Sequence, residues 1–238
     1  TLSVIHNHLD NICREMGIAM MKTSYSTIFN EGLDFSCVIF NRKGDMIAQA
    51  EFCPAQLGAI LYVIKWAIEE YGLENFEPDD VVIHNDPYRG GCHMPEHAVI
   101  KPVYYDGELF GFVANIGHVA EIGGMAPGSF AATATEVYQE GLRLPLVKIM
   151  RRGEYVQDVW KMILMNHRTP THTWGDFHAM IGSLHIADRR LHALLDKYGV
   201  PFINKANEEL MDHSERWMRE EIRSIPNGEY TFEDCVED

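Results

Sequence analysis

The stretch that decides the fold runs from residue 81 to residue 124: VVIHNDPYRGGCHMPEHAVIKPVYYDGELFGFVANIGHVAEIGG. Its apolar start at 81–83 predicts a buried strand, and two alternating strands follow at 98–105 and 108–116. An Asp-Gly pair joins these two strands, and such a pair is typical of tight hairpin turns, whose central residues need positive φ angles. The stretch therefore predicts one strand followed by a β-hairpin.

Histidine and glutamate side chains flank the predicted hairpin on both sides. His93 and Glu96 precede its first strand, and His118 and Glu121 follow its second strand. Because the two strands are similar in length, the second strand should bring His118 back to the end of the hairpin at which His93 lies. Imidazole nitrogen and carboxylate oxygen are ligands for Zn, Mn or Fe, so the spacing is compatible with a divalent metal site at His93, Glu96 and His118. The alternative, that these histidines only cap loops and bond to the backbone, stays open at this point.

Periodicity and turn residues elsewhere predict the remaining elements. They are a helix ending near residue 21, strands at 34–40 and 46–50, a helix ending at 71, a strand at 144–150, helices at 156–165, 171–198 and 204–224, and a last strand at 229–236. The last helix is expected to turn Leu210, Trp217 and Ile222 inward. Since hairpins come first and long helices later, the predicted fold class is α+β, with mixed antiparallel hairpins followed by long helices.

Several acidic side chains are candidates for proton transfer. Asp34 opens a predicted strand and can reach a site at the end of that strand, although it can equally cap the preceding loop. Glu121 is a second candidate for moving a proton. Glu136 and Glu140 lie four residues apart on an expected helical segment, where a solvated face is an equal alternative. Cys37, inside an apolar run, is expected to be a core residue rather than a nucleophile.

Three histidines recur every seven residues in the predicted helix at 171–198. They are His178, His185 and His192. Seven helical residues rise by about 10.5 Å, which is too far for one ion to be shared. A local set of His185, Asp188 and His192 is the alternative, but a polar helix flank is the preferred interpretation.

Composition limits the classes of function. The net charge of −15 argues against nucleic-acid binding, which favours basic surfaces, and suits a more basic partner surface. The sequence contains no run of 18 apolar residues, so it predicts no membrane-spanning helix. Five widely spaced cysteines without a C-x-x-C pair favour reduced thiols and a cytoplasmic location. The sequence contains no phosphate-binding loop with its lysine and no G-x-S-x-G motif, so neither a nucleotide site nor a serine hydrolase site is expected.

Long motifs in this chain resemble the hydantoinase B family. The resemblance is carried by KTSYSTIFNEGLDFSCVIFNRKGDMIAQAE (22–51), NDPYRGGCHMPEHAVIKPVYYDGELFGF (85–112), GHVAEIGGMAPGSF (117–130), ATEVYQEGLRLPLVKI (134–149), NHRTPTHTWGDFHAMI (166–181) and IPNGEYTFEDC (225–235). It covers nearly the whole chain. Members of the family are usually longer, so we expect residues 1–238 to be a single N-terminal module of a longer subunit.

The resemblance also implies site residues. Family members that bind metal use a His, a carboxylate three residues later and a second His further on, which correspond to His93, Glu96 and His118. The family more often has Asp at the positions of Glu96 and Glu121. In relatives, the Asp that matches Asp34 lies close to the metal and acts as a ligand or a base.

The function that the resemblance implies depends on a partner. Related enzymes work with a separate ATPase subunit of the hydantoinase A type, which binds ATP and phosphorylates the oxygen of an amide or enol. The first hypothesis is therefore ATP-dependent opening of a cyclic amide of the hydantoin, lactam or oxoproline type, by a hetero-oligomer acting on a small molecule. The alternatives are ATP-dependent carboxylation of a ketone and a non-catalytic scaffold subunit.

Overall fold

The computed structural model describes residues 2–50 and 52–235 of the chain. Its helices are α1 (Leu2–Thr23), α2 (Thr27–Asn30), α3 (Pro54–Tyr71), α4 (Gln157–Asn166), α5 (Pro170–Tyr198) and α6 (Val200–Ser224). Its strands are β1 (Phe35–Asn41), β2 (Met46–Ala50), β3 (Val81–His84), β4 (Glu96–Tyr105), β5 (Glu108–His118), β6 (Val147–Arg151) and β7 (Glu154–Tyr155). The predicted α+β fold class is thereby confirmed.

All seven strands belong to one sheet, in the order β2-β1-β5-β4-β3-β6-β7. Every neighbouring pair is antiparallel. The turn between β4 and β5 places Asp106 and Gly107 at φ angles of 51° and 83°, as a two-residue hairpin turn requires. The hairpin predicted from the Asp-Gly pair is confirmed, and it supplies two central strands of the sheet.

Helices cover both faces of the sheet. The side chains of β1 alternate between two apolar clusters, since Cys37 and Ile39 join the cluster that contains α1 and α5 residues, whereas Val38 and Phe40 join the one that contains α3 residues. This alternation follows from the period of two residues in a strand. Cys37 is fully buried, which confirms its prediction as a core residue.

Strand register at one end of the sheet sets the position of the candidate site. Glu96 lies directly opposite His118, and Phe35 lies opposite Gly117. A Cβ atom at Gly117 would lie 2.5 Å from the ring of Phe29, so only glycine fits there. The first residues of β1 and β4 and the last residue of β5 therefore meet at the same edge.

Two sequence predictions about secondary structure were wrong. Residues 229–235 form no strand and are exposed, while residue 236 lies outside the described part of the chain. These residues find no strand partner, which a β-strand needs. The segment at 131–141 is not an α-helix either, and it contains only a 3₁₀ turn at Val137–Gln139. Its small and polar residues offer no apolar stripe that a helix could bury.

The expected inward face of the last helix was also wrong. The buried residues of α6 are Ile203, Ala206 and Asn207, all in its first half, whereas Trp217 is 62% exposed and Ile222 is 58% exposed. The second half of α6 extends beyond the body of the protein. Among the described residues, no helix combines the length and the apolar character that crossing a membrane requires.

Candidate functional site

Asp34 lies at the edge where three strand ends meet, immediately before β1. Its backbone carbonyl accepts a hydrogen bond from the backbone N–H of His118 at 3.0 Å, which extends the pairing of β1 with β5. Its carboxylate Oδ2 lies 3.7 Å from Nδ1 of His118. The side chain is 38% exposed, so this carboxylate faces both a histidine and solvent.

His93 and Glu96 approach the same place from the loop before β4. Nε2 of His93 lies 3.9 Å from Oε1 of Glu96, and the rings of His93 and His118 meet edge to face with centroids 4.9 Å apart. Glu96 is itself the first residue of β4, opposite His118. The structure thus brings together the three predicted metal ligands, with Asp34 beside them.

Unpaired polar atoms mark this cluster. Nδ1 of His93 and Oε2 of Glu96 are buried without a hydrogen-bond partner. Burial also lowers the pKa of His118, and the neighbouring His93 lowers it further against the opposing charge of Asp34, so the ring favours the neutral form that binds metal. Nitrogen and oxygen donors of this kind fit a divalent ion. In the present arrangement, however, no three His, Cys, Asp or Glu side chains within residues 2–50 and 52–235 form a closed ligand set.

Gln56 is a site residue that the sequence analysis missed. It is fully buried at the start of α3, and its amide donates to Oδ1 of Asp34 at 2.9 Å. The same amide contacts the carbonyl of Asp34 at 3.3 Å. Gln56 therefore fixes the orientation of the Asp34 carboxylate. The available signal was a polar residue on the otherwise apolar buried stripe of α3.

Two cysteines also border the cluster. Burial raises the pKa of Cys92 to about 11, and the nearby Glu96 raises it as well. Burial raises the pKa of Cys53 too, with a smaller contribution from Asp34. Both side chains are therefore protonated thiols at neutral pH, which makes them poor nucleophiles.

The carboxylate of Glu121 is held by hydrogen bonds within the loop that follows β5 and from Arg168. Both of its oxygens accept hydrogen bonds from Arg168, at 2.9 and 3.0 Å, and Oε1 also accepts from the backbone of Gly123. Burial raises the pKa of Glu121, but the hydrogen bonds from Arg168 and Gly123 outweigh it and lower the pKa overall. These partners suit an anchor for the loop after β5 better than a group that exchanges protons.

The other candidate residues lie in different surroundings. Glu136 caps the 3₁₀ turn at Val137–Gln139. On α5, His178 stacks on Trp174 with ring centroids 3.8 Å apart, and Nδ1 of His192 lies 2.8 Å from the Asp188 carbonyl. The two histidines thus contact residues of their own helix.

The class of protein that this arrangement defines is an antiparallel sheet between helices, with imidazole and carboxylate groups gathered at one edge as a candidate functional site. A family model described as hydantoinase B/oxoprolinase matches residues 1–238. The chain belongs to the hydantoinase B/oxoprolinase family, which confirms the resemblance seen in its motifs.

Relatives of the chain include components named for a caprolactamase and for a putative hydantoinase. It is 37% identical over 238 residues to the beta chain of caprolactamase from Pseudomonas jessenii, covering 100% of this chain and 41% of that protein. It is 35% identical over 237 residues to the B-type component of a putative D-/L-hydantoinase from Pseudomonas sp. strain NS671, covering 98% of this chain and 40% of that protein.

A solved structure gives the same picture of the fold. The crystal structure of the ATP-dependent caprolactamase from Pseudomonas jessenii matches with a TM-score of 0.91 and 36% identity, covering 96% of this chain and 39% of that one. The chain thus spans 39–41% of the length of these relatives.

Proposed function

We propose that this chain carries the metal-assisted site of an ATP-dependent hydrolase of cyclic amides, working on a substrate that a partner ATPase subunit of the hydantoinase A type has phosphorylated. The observation that carries the proposal is the convergence of Asp34, His93, Glu96 and His118 at one sheet edge. Its substrate class is supported by the relatives that open caprolactam and hydantoin rings, as their names state. The chain lacks a nucleotide-binding loop, so ATP is assigned to the partner.

In this proposal His93, Glu96 and His118 hold a divalent ion. When bound, such an ion supplies a Lewis acid that polarises a carbonyl or phosphoryl oxygen and lowers the pKa of water. The unpaired Nδ1 of His93 and Oε2 of Glu96 support this assignment, because buried polar atoms are normally paired. His118 stays neutral near pH 7 because its pKa is lowered, and so keeps a lone pair free for a ligand role.

Asp34 is assigned the role of general base. Its Oδ2 is not used by Gln56, whose amide bonds to Oδ1, and the side chain is open to solvent. It takes a proton from the water that attacks the carbon of the phosphorylated amide, and it returns a proton to the nitrogen as the C–N bond breaks. The acyl phosphate left by this step is hydrolysed by a second water to the ring-opened carboxylate and inorganic phosphate. Gln56 keeps the carboxylate pointed at that water. Glu121 remains the second candidate for this role if Asp34 proves dispensable.

The first test uses the full-length protein purified together with its ATPase partner. We expect ring-opened product and phosphate release with an unsubstituted lactam, and metal bound in the purified complex. His93→Ala and His118→Ala should each remove the ion without unfolding the protein, because His93 lies in a loop and His118 is the last residue of β5, where alanine keeps the backbone hydrogen bonds. His172→Ala, a change at an exposed histidine on α5, is the matched control. Equal metal content in all four proteins would contradict the site.

The alternatives predict different products. A ketone carboxylase would incorporate bicarbonate into a ketone and leave lactams unopened. A non-catalytic scaffold would bind no metal and would show no loss of activity in the histidine variants. The protein without its partner should not hydrolyse ATP, and turnover of ATP by the homogeneous protein would overturn the assignment of ATP to the partner.

A further inference from the structure

Phe130 is an exposed aromatic side chain that is not part of either apolar cluster. It is 69% exposed, yet its ring stacks on His118 with centroids 5.4 Å apart and an interplanar angle of 14°. It also meets the ring of His93 edge to face, with centroids 6.0 Å apart. A phenyl ring with so much exposed surface contributes little to core stability. Its only ring contacts among the described residues are these two histidines of the candidate site.

The loop around Phe130 is anchored beside this ring. Ser129 is 4% exposed and has a φ of 60°, a left-handed conformation that costs energy in any residue other than glycine. Its hydroxyl accepts from the backbone of Ile122 at 2.8 Å and donates to Glu121 at 3.3 Å. Glu121 is in turn bound by Arg168. The polar network thus fixes Ser129, and Ser129 projects Phe130 over the histidine rings.

The charges around Phe130 favour an uncharged substrate. Asp34 and Glu96 supply two negative charges, which a divalent ion would balance. The guanidinium of Arg168 is already occupied by Glu121 and by the carbonyl of Gly124. A carboxylate on the substrate would therefore lie near two other carboxylates without gaining the guanidinium of Arg168 as a partner. An apolar ring would instead gain contact with an aromatic face.

We propose that Phe130 is the wall of the substrate pocket: it packs against the hydrocarbon body of a neutral cyclic amide and thereby selects uncharged lactams over carboxylate-bearing ones. This inference rests on the proposed function, since it names the substrate class of that same site. It assigns to Phe130 a contact with the part of the substrate that does not react.

The test compares Phe130→Ala and Phe130→Leu in the full-length protein with its ATPase partner. The substrates are ε-caprolactam, which is neutral, and 5-oxoproline, which carries a carboxylate. We expect the wild type to favour caprolactam in kcat/KM. Phe130→Ala should raise the KM for caprolactam about tenfold, the usual size of one lost aromatic contact, with little change in kcat. Phe130→Leu should have an intermediate effect, because it keeps an apolar contact.

The controls separate a pocket wall from a structural role. Phe232→Ala alters a phenylalanine that is 90% exposed and distant in sequence, and it should leave KM unchanged. Bound metal should be equal in all variants. An unchanged ratio of kcat/KM for the two substrates in Phe130→Ala would overturn the inference, and so would a loss of kcat alone.

A binding measurement keeps this inference independent of the proposed function. Saturation-transfer NMR with ε-caprolactam reports whether ring protons of the ligand contact the protein, whether or not any turnover occurs. We expect equal transfer at a given caprolactam concentration in the wild type and in Phe232→Ala, and about tenfold weaker binding in a titration of Phe130→Ala. If the complex opens no lactam and yet shows this pattern of saturation transfer, the proposed reaction is wrong but the inferred contact between Phe130 and the lactam is supported. Equal saturation transfer in all three proteins, or no transfer in the wild type, would contradict the inference that Phe130 contacts the lactam.

Discussion

Two buried carboxylates at opposite ends of the β3–β4 pair have very different surroundings. Asp80 is fully buried and accepts hydrogen bonds from the backbone N–H groups of Glu77 and Arg152, at 2.8 and 3.0 Å, and Lys148 pairs with it at 2.6 Å. Glu96 is 5% exposed, and one of its oxygens has no partner. Burying charge is costly unless it is paired. The fully paired carboxylate is therefore expected to serve the fold, whereas the incompletely paired one is the proposed metal ligand.

The largest effect is expected at the carboxylate beside Glu96. Asp34→Asn keeps the shape and the hydrogen bond with Gln56 but removes the negative charge. Turnover of the complex should fall about 10²–10⁴-fold, the usual range for lost acid–base help. The free energy of unfolding should hardly change, because Asn can still accept the bond from Gln56.

The readouts for Asp34→Asn are product formation and urea unfolding of the same preparation. Gln56→Leu is a useful companion, since it leaves the charge but removes the residue that orients it, and it should lower kcat by less. If Asp34→Asn retains full product formation, Asp34 only caps its turn and Glu121 becomes the next candidate to test.

The paired carboxylate should show the opposite behaviour. Asp80→Asn leaves Lys148 with only the more distant carboxylate of Glu77, at 3.8 Å, as a counter-charge, and losing a charged hydrogen-bond partner in a buried network costs about 1–3 kcal/mol. Urea unfolding should therefore show a large loss of stability, with metal content unchanged under native conditions. A loss of unfolding free energy below about 1 kcal/mol would mean that solvent screens the pair of Asp80 and Lys148. Pairing would then not explain the difference between Asp80 and Glu96.

His84 is a second buried group without a hydrogen-bond partner, and its effect should appear as a loss of stability at acidic pH. Neither ring nitrogen of His84 has a hydrogen-bond partner, and burial lowers its pKa to about 4, with Asp86 opposing the shift. An unfolded histidine binds its proton near pH 6.5. Stability is therefore present in full above pH 6.5 and falls as the pH drops toward 4, by up to about 1.4 kcal/mol per pH unit.

Urea unfolding at pH 7, 6 and 5 measures this contribution. His84→Leu should reduce the slope by the contribution of one histidine without abolishing it, because leucine takes up no proton in either state while burial also lowers the pKa of His97 and of His118. His172→Leu, at an exposed position of α5, is the control that should keep the wild-type slope. Equal slopes in the wild type and His84→Leu would show that His84 is not the source.

The smallest stability effect should come from Glu96 itself. Glu96→Gln keeps the size of the side chain and removes only its long 3.9 Å contact with the partly exposed His93 as an ion pair, so the free energy of unfolding should change by less than about 1 kcal/mol. Metal content, measured on the same sample, should nevertheless drop. A destabilisation as large as that of Asp80→Asn would remove the distinction between the two carboxylates.

Local signals in the sequence were sufficient to predict much of the fold. The Asp-Gly turn and the alternating strands beside it predicted the β4–β5 hairpin, and with it the return of His118 to the level of His93. The same pattern underestimated strand length by two residues at Glu96 and at His118, which in fact pair with each other. Polar residues at strand ends look like loop residues in a sequence, because periodicity only detects apolar alternation.

The rest of the site depends on contacts that no local pattern records. Gln56 reaches Asp34 only because α3 packs across the sheet, and Phe130 reaches His118 only because Ser129 is bound to Glu121. The mistaken inward face of α6 has a similar origin. Trp217 and Ile222 have the spacing of a buried stripe, but the body of the protein ends before the helix does.

The pairing of Phe35 with Gly117 has a consequence for how the protein folds. His93, Glu96 and His118 come from one hairpin and the loop before it, so they can approach one another as soon as that local unit forms. Asp34 joins them only when β1 docks against β5, whose paired residues lie 70 to 82 positions apart in the chain, from Asn41 with Gly111 to Phe35 with Gly117. Such long-range pairing is slow because the entropy of loop closure must be overcome first. A folding intermediate with the hairpin alone would gather the three proposed metal ligands before Asp34, the proposed base, arrives, so refolding should restore metal binding earlier than catalysis.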